Sequence, residues 1–249
     1  MIADIMVVTY NRLELTKKTF NSILETTKTP FNLIIIDNAS SDGTQEYLQK
    51  FCQEHSTQNF FKGHKLQFNK ENMGIAIGRN QALKLSESEW LSTIDNDMLF
   101  PENWLGKCID VLSANPNYGM IGVNVENVDY PIVEKDGLQW QKKSQGNLGA
   151  ACTVFNRKLH KMIGFFNTEY QKYGEEDSDF GIRIRALGLQ MGYIKERGVH
   201  LGEGAQDTGE YRKFKDDCRA KNLQKFKQNC ADYFSGKKSP FIPFKETLT

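Results

Sequence analysis

Ile2-Ala3-Asp4-Ile5-Met6-Val7-Val8-Thr9 is a nearly continuous apolar run of strand length, and the chain turns polar directly after it at Tyr10-Asn11-Arg12. A run this short, apolar at odd and even positions alike, predicts a strand buried on both faces. Asn11 is placed to cap a helix in which Leu13, Phe20, Ile23 and Leu24 share one side. Pro30 ends that unit, and Leu33-Ile34-Ile35-Ile36 predicts a second buried strand closing at Asp37-Asn38. A helix is expected after Ser41-Asp42-Gly43, a strand over Lys65–Phe68, a helix from Gly74 to Leu85 and a strand over Trp90–Ile94. Strands alternating with helices of this length imply parallel pairing with helices on both faces. Ligands of such sheets bind outside the carboxyl ends of the strands. Thr9-Tyr10-Asn11, Asp37-Asn38 and Asp95-Asn96-Asp97 all fall at those ends.

The second half reads differently. Val123–Val133 and Gly146–Phe155 predict strands, possible partners in antiparallel pairing, followed by short helices over Arg157–Ile163 and Ser178–Leu187. Met191–Ile194 is a further apolar strand. Tyr211 to Phe234 has helical spacing, with Tyr211, Phe214, Cys218, Phe226, Cys230 and Tyr233 on one stripe. No internal repeat, low-complexity tract or linker divides the chain.

Composition sets the outer limits. At 249 residues, with 39% hydrophobic and 25% charged side chains, the chain can bury a full core and is neither disordered nor fibrous. Thirty-two Lys+Arg against 31 Asp+Glu leave a net charge of +1, so no whole-molecule field draws it to nucleic acid or acidic membrane. The apolar runs are too short to span a bilayer and Met1–Thr9 carries no basic leader, which predicts a cytoplasmic protein. Cysteines 52, 108, 152, 218 and 230 form no CxxC pair, against both a disulfide framework and a zinc site. The segment from Tyr211 to Thr249 carries ten Lys/Arg against four Asp/Glu. Such a face is most simply solvated, and it could also touch a membrane surface or nucleic acid.

Four stretches carry chemistry. Asp95-Asn96-Asp97 at a strand end can address one cation, or a ribose and a cation; it can also be an ordinary acidic turn. Hard divalent ions such as Mg²⁺ and Mn²⁺ favour oxygen ligands. Glu175-Glu176-Asp177-Ser178-Asp179 packs four carboxylates in front of a helix, where mutual repulsion asks for a cation or a helix N-terminus. Asp179 and Arg183 are spaced for an i,i+4 ion pair, and Glu176-Asp177 remain as helix cap or general base. Arg79 lies four residues from Ile75 and from Leu83, on an apolar face. There it needs an anionic partner, either a diphosphate or Asp95 or Asp37. His200, in Gly198-Val199-His200-Leu201-Gly202, follows an apolar strand; His55, His64 and His160 have no such setting.

In this order, from about Ile5 to Gly202, these elements resemble the family 2 glycosyltransferases of the GT-A fold. The resemblance rests on Val8-Thr9-Tyr10-Asn11-Arg12, Ile36-Asp37-Asn38-Ala39-Ser40-Ser41-Asp42-Gly43-Thr44, Asn72-x-Gly74, Arg79-Asn80 and Asp95-Asn96-Asp97. It continues through Gly149-Ala150, Ile163-Gly164-Phe165-Phe166, Glu176-Asp177-Ser178-Asp179-Phe180, Arg183, Gly188 and His200. It implies an α/β GT-A fold: a Rossmann-like, mostly parallel central sheet with helices on both faces and a smaller antiparallel acceptor-side portion. The catalytic domain would span 1–205, with a nucleotide-binding half over 1–97 and an acceptor half over 98–205. A C-terminal helical extension, 206–249, would pack on it.

The same resemblance implies an inverting transferase using a nucleotide-sugar donor, by default a UDP sugar, and a hydroxyl acceptor on a glycan, glycolipid or protein. Thr9, Tyr10 and Asp37 would hold the nucleoside, with Asn11, Arg12, Asn38, Asn72, Gly74 and Asn96 around the donor. Arg79 would lie near the base or diphosphate and Asp95 near the ribose or metal. Asp97 and His200, with Asp95, would ligate Mn²⁺ or Mg²⁺. Gly149 and Ala150 would line the donor sugar. Asp177 would be the base, supported by Glu176. Many members carry an aromatic where Gly174-Glu175 stands, which leaves the base open between Glu176 and Asp177. Trp140, Tyr173 and Glu175 are the acceptor candidates; Trp140 suits stacking on a sugar or packing in a core equally. Three other functions compete: the same chemistry on a hydroxymethylated base in DNA, a nucleotidyltransferase, and a silent nucleotide-sugar binder. Tyr10-Asn11-Arg12 stands where a nucleotidyltransferase would carry a Gly-rich phosphate loop, and intact Asp95, Asp97 and Asp177 argue against a silent binder.

Overall fold

The computed structural model describes residues 1–55, 58–126, 128–149, 151–202 and 209–242, with the backbone alone at Tyr211. The first half runs β1 (Ala3–Thr9), α1 (Leu13–Thr26), β2 (Phe31–Asp37), α2 (Thr44–His55), β3 (Phe61–Phe68), α3 (Ile75–Leu85) and β4 (Trp90–Ile94). A two-residue β5 (Met98–Leu99), α4 (Trp104–Ala114), β6 (Tyr118–Asn124), β7 (Ile132–Lys135), β8 (Leu138–Lys143) and β9 (Cys152–Asn156) follow. The chain continues with α5 (Arg157–Ile163), α6 (Glu176–Ala186), β10 (Gln190–Arg197), β11 (Val199–His200) and α7 (Glu210–Phe234).

Nine strands form one sheet in the order β3-β2-β1-β4-β9-β6-β10-β8-β7. β1, β2, β3 and β4 pair in parallel, β9 runs antiparallel to both β4 and β6, and β7–β8 form an antiparallel hairpin on β10. The strand alternation decides which core each residue joins. Ile5, Val7, Leu33 and Ile35 enter one core with Phe20 and Ile23 of α1, Leu48 and Phe51 of α2, and Trp104 of α4. Met6, Ile34 and Ile36 enter the other with Ala82 and Leu83 of α3, Leu159 of α5, and Phe180 and Ile184 of α6. Period-2 side-chain alternation across a sheet covered on both faces therefore explains why β1 and β2 are apolar over Ile5–Val8 and Leu33–Ile36.

Four expectations need correction. Asn11 does not cap α1: Asn11 and Arg12 both adopt left-handed backbone, with φ of 53° and 68°, and Arg12 occupies the cap position. The Leu13 amide donates instead to Asp42 Oδ2 at 2.9 Å. Second, Val123–Val133 is not one strand; Asn124 ends β6, and its side chain accepts from the Glu126 amide to turn the chain. Third, the strand expected over Gly146–Phe155 begins only at Cys152. Fourth, the predicted stripe on α7 is only partly covered, with Cys218, Phe226, Cys230 and Tyr233 half-buried. Phe214 is exposed, the Tyr211 side chain lies outside the described residues, and the buried positions are Lys215, Asn222 and Asn229.

Candidate active site

Three carboxyl ends of parallel strands, the N-terminus of α6, the β11 strand and the first half of α7 enclose one cavity of about 370 Å³. Thr9, Tyr10, Arg12, Asn38, Asn72, Arg79, Asp95, Asn96, Asp97, Tyr173, Glu175, Glu176, Asp177 and His200 line it, as the sequence leads one to expect.

Its floor is an acid–imidazole cluster. β4 ends at Ile94, so Asp95 and Asp97 stand in the turn before β5. β11 pairs antiparallel with β5 in a register that sets His200 against Met98. The Leu201 amide then donates to the Asp97 carbonyl at 2.7 Å. This short ladder brings a histidine 103 positions away in sequence within 3.0 Å of Asp97 Oδ1. Asp95, Asp97 and His200 each offer a ligand atom, all within 4.8 Å of one another. Two carboxylates and an imidazole at this spacing fit a divalent cation of the Mn²⁺ or Mg²⁺ type. Asn96, between the two acids, points its amide to Thr16 Oγ1 at 2.9 Å and so pins the turn to α1.

Arginines set the charges. The left-handed Asn11-Arg12 turn carries the Arg12 guanidinium back over the site, where Nη1 donates to Asp97 Oδ2 at 2.7 Å and Nη2 to the Gly202 carbonyl at 2.9 Å. Burial works to raise the Asp97 pKa, but His200 and Arg12 overcome it and hold that carboxyl below its ordinary range. Arg79 is 4% exposed and forks between two acids, Nη1 to Glu176 Oε1 at 2.7 Å and Nη2 to Asp95 Oδ1 at 3.1 Å. It reaches this place because α3 runs very close to β1: a Cβ on Gly78 would stand 2.8 Å from Val8 Cγ1. Of the partners expected for Arg79, Asp95 is found and Asp37 is not; Glu176 takes the second arm. Burial raises the Asp95 pKa, opposed by Arg79 and reinforced by Asp97. Burial, then the adjacent charge of Asp177, push Glu176 up to about 7 against the pull of Arg79.

The acidic motif sorts by exposure. Asp179 is fully buried, ion-paired with Arg183 Nε at 2.9 Å and accepting from Tyr170 Oη at 3.0 Å and Tyr233 Oη at 2.9 Å, so the expected i,i+4 pair with Arg183 forms. Glu176 is buried against Arg79, whereas Asp177 is only partly buried and faces the cavity, its Oδ1 accepting from the Ser178 amide.

Some sequence candidates lie elsewhere. Trp140 is 1% exposed and packs edge-on against Tyr118 with ring centroids 5.6 Å apart, so it is a core residue and no part of the cavity. Asp37 is fully buried, and both its oxygens are taken up by the Thr9 and Ser40 hydroxyls, the Ser40 amide and Gln45 Nε2. It shapes the β1–β2 crevice and does not line it. Asn11 likewise serves the wall, accepting from the Ser41 amide through Oδ1. Gly74 is held behind the wall between Asn72 Oδ1 and Asn38 Nδ2. Gly149 is exposed and not among the lining residues, and Ala150 lies outside the described residues.

Residues not foreseen include Lys172, Gly202, Arg212, Lys215 and Arg219, all lining the cavity. The last three repeat at i, i+3 and i+7, a single helix face visible in the sequence; a basic tail read as solvated hides it.

A mostly parallel α/β sheet whose strand ends present an Asp-x-Asp turn beside a histidine and a helix-borne acid pair defines a protein of the GT-A class. Comparison with known proteins gives the same result: the model of "Glycosyl transferase family 2" matches residues 4–166, and that of "N-terminal domain of galactosyltransferase" matches residues 131–215. The chain belongs to glycosyl transferase family 2. It is 24% identical over 178 residues to a poly-beta-1,6-N-acetyl-D-glucosamine synthase of Staphylococcus epidermidis, covering 64% of this chain and 40% of that protein. It is 23% identical over 111 residues to the putative teichuronic acid biosynthesis glycosyltransferase TuaG of Bacillus subtilis, covering 45% of this chain and 42% of that protein. The chain thus spans less than half the length of these relatives. Among solved structures it is similar to a mannosyltransferase from Pyrobaculum calidifontis in complex with GDP-Man and Mn²⁺, with a TM-score of 0.66 at 20% identity, covering 85% of this chain and 59% of that one. It is also similar to S. aureus TarS in complex with UDP-GlcNAc, with a TM-score of 0.59 at 16% identity, covering 86% and 61%. Among the described residues, no helix is long and apolar enough to cross a membrane.

Proposed function

We propose that this chain transfers a sugar, with inversion, from a nucleoside-diphosphate sugar to a hydroxyl acceptor. One observation carries the proposal: the Asp95/Asp97/His200 cluster and the carboxylate of Asp177 open onto the same cavity. A cavity of about 370 Å³ is of ligand-binding size. Thr9, Tyr10, Asn38 and Asn72, at the ends of the parallel strands, are placed to hold the nucleoside. Asp95, Asp97 and His200 would hold a divalent cation, which when bound supplies Lewis-acid stabilisation of the departing diphosphate worth several kcal/mol.

Asp177 is the base. Of the three acids in the first turn of α6, it alone combines partial exposure with a place in the cavity wall. It accepts the proton of the acceptor hydroxyl as that oxygen bonds to the anomeric carbon. The bond from that carbon to the phosphate oxygen breaks, and the nucleoside diphosphate leaves with the electron pair. A single displacement of this kind inverts the anomeric centre. Glu176, bound to Arg79, positions the turn that presents Asp177.

UDP sugars are the default donors, with GDP and dTDP sugars as alternatives. The test is a thermal-shift panel of nucleotide sugars with and without Mn²⁺, because a ligand of the native state stabilises it by mass action. A donor at about 100 times its Kd should add about 2.7 kcal/mol of stability. A panel in which no nucleotide sugar raises the melting temperature with Mn²⁺ present would sink the proposal.

A further inference from the structure

The wall of the cavity formed by α7 differs in charge from its floor. Arg212, Lys215 and Arg219 share one face of that helix and line the cavity, joined by Lys172 from the loop before α6. Lys215 is 9% exposed, and its Nζ stands 4.6 Å from the centre of the Tyr173 ring. The Arg219 guanidinium stands 5.0 Å from the same ring, and its Nη2 donates to Tyr173 Oη at 3.2 Å. Arg212 pairs with Asp216 of its own helix at 3.5 Å. The carboxylates of the floor are matched by other cations: Asp95 and Glu176 by Arg79, Asp97 by Arg12 and His200. The cavity therefore has a floor whose acids are paired with Arg79, Arg12 and His200, and an α7 wall, or rim, that carries Arg212, Lys215 and Arg219, with Glu175 and Asp177 also lining the cavity.

We propose that this rim binds a carboxylate or phosphate group carried by the acceptor sugar, which makes the acceptor an acidic carbohydrate. The proposal rests on the glycosyl-transfer reading of the same cavity. Its location argues for acceptor over donor. Tyr173 and Gly174 lead through Glu175 directly into the turn that carries Asp177. A Cβ on Gly174 would stand 3.0 Å from Arg219 Cγ, so α7 packs on the strand of chain that presents the base. The acceptor hydroxyl must touch that base, so the rest of the acceptor ring falls within reach of α7. The donor diphosphate is instead drawn to the cation cluster between β4 and β11. Seven residues of helix rise only about 10 Å, enough for one anionic sugar. A duplex would need a longer track of phosphate contacts.

The test uses pairs of small acceptors that differ at C6, a free hydroxyl in one member and an anionic group in its place in the other. Methyl glucoside is compared with methyl glucuronide, and methyl N-acetylglucosaminide with its 6-phosphate. Each is supplied with the donor chosen by the thermal-shift panel and Mn²⁺. Acceptor binding to the donor-loaded protein and kcat/KM are measured for wild type, for Lys215→Gln/Arg219→Gln, and for the charge-keeping Lys215→Arg/Arg219→Lys. The expected result is a preference of about tenfold or more for the charged member of a pair, since hydrogen bonds to charged groups are the stronger ones. The Gln pair should lose that preference and the charge-keeping pair retain it, with the glucuronide and phosphate arms showing which anion fits. Equal treatment of charged and neutral sugars, including binding of neither, overturns the proposal. So does a Gln pair whose donor KM rises instead, which would place the rim on the diphosphate, or turnover of hydroxymethylated duplex DNA in preference to any sugar. Failure of the transfer reading itself is distinct: the wild type would then bind no nucleotide sugar at all.

Discussion

The Arg79 guanidinium donates to Glu176 Oε1 at 2.7 Å across 97 positions of chain, and its other arm reaches Asp95 Oδ1 at 3.1 Å. One buried cation thus ties the carboxyl end of β4 to the N-terminus of α6, beside Asp177. Removing one partner of such a pair leaves charge buried without compensation and costs about 3–5 kcal/mol. Arg79→Ala is expected to lose stability on that scale in urea unfolding. Arg79→Lys should recover only part of it, because an ammonium cannot fork between two carboxylates. A loss below about 1 kcal/mol in Arg79→Ala would mean the two acids find other partners or protonate without consequence.

Glu176 makes stability depend on pH. Burial and the neighbouring Asp177 charge lift its pKa in the folded protein from the ordinary 4.5 to about 7. Between those values the native state holds more protons than the unfolded chain, so stability falls as pH rises through that window. The neutral form's contribution is complete below about 4.5 and is gone above about 7. Glu176→Gln has no such proton to lose. The melting temperature of the variant minus that of wild type should therefore grow between about pH 5 and about pH 8. A constant difference would show that Glu176 titrates as an ordinary carboxylate.

Asn222 is the pin between α7 and the acidic loop. Its Nδ2 lies within hydrogen-bond distance of three carbonyls, those of Gln171 at 3.0 Å, Tyr173 at 2.9 Å and Gly174 at 3.0 Å. Asn222→Ala removes that shared donor, with the Gln171 carbonyl keeping only the Tyr173 amide, and should cost about 1–3 kcal/mol. Because the same loop presents Asp177, kcat should fall more than donor KM rises. The neighbouring, exposed Leu223→Ala should stay within about 0.5 kcal/mol of wild type. Equal behaviour of the two variants would remove Asn222 from this role.

Much of this was readable from the residues alone. The parallel half of the fold follows from β1 and β2, because burial on both faces favours unbroken apolar runs such as Ile5–Val8 and Leu33–Ile36, a signal that needs no tertiary knowledge. Helix α4 went unread, although Trp104, Leu105, Cys108, Ile109, Val111 and Leu112 repeat with helical spacing. The β7–β8 hairpin was not: Ile132–Lys135 is largely exposed and amphipathic, and the strand gains its place only by pairing on the sheet edge. In the site, the sequence names Asp95, Asp97 and His200, which the structure brings together, while the partners of Arg79 could not be ranked, because Glu176 approaches from 97 positions away. Trp140 illustrates the opposite limit. Its ring suits a sugar or a core equally, and only the edge contact with Tyr118 decides. The basic face of α7 was lost for a different reason: charge counted over a whole tail conceals three residues that share one side of a helix.

Gly202 guards the cation site by having no side chain. A Cβ there would stand 1.8 Å from Asp97 Oδ2 and 2.8 Å from its Cγ. Gly202→Ala must displace the Asp97 carboxylate from its present place between Arg12 and His200. Displacing a ligand's support typically weakens metal binding about 10–100-fold. Titrating Mn²⁺ into the donor-loaded protein should give a midpoint raised by that factor, and an unmoved midpoint would take Asp97 out of the ligand set.

The base assignment is the most exposed part of the mechanism, and Asp177→Asn probes it with little change of shape. Removal of a general base slows the proton-coupled step by about 10²–10⁴-fold. With Mn²⁺, the chosen nucleotide sugar and a hydroxyl acceptor, Asp177→Asn should keep the donor-induced rise in melting temperature while its acceptor-dependent release of nucleoside diphosphate falls by that factor. Release at the wild-type rate would contradict the assignment of Asp177 as the base that faces the sugar.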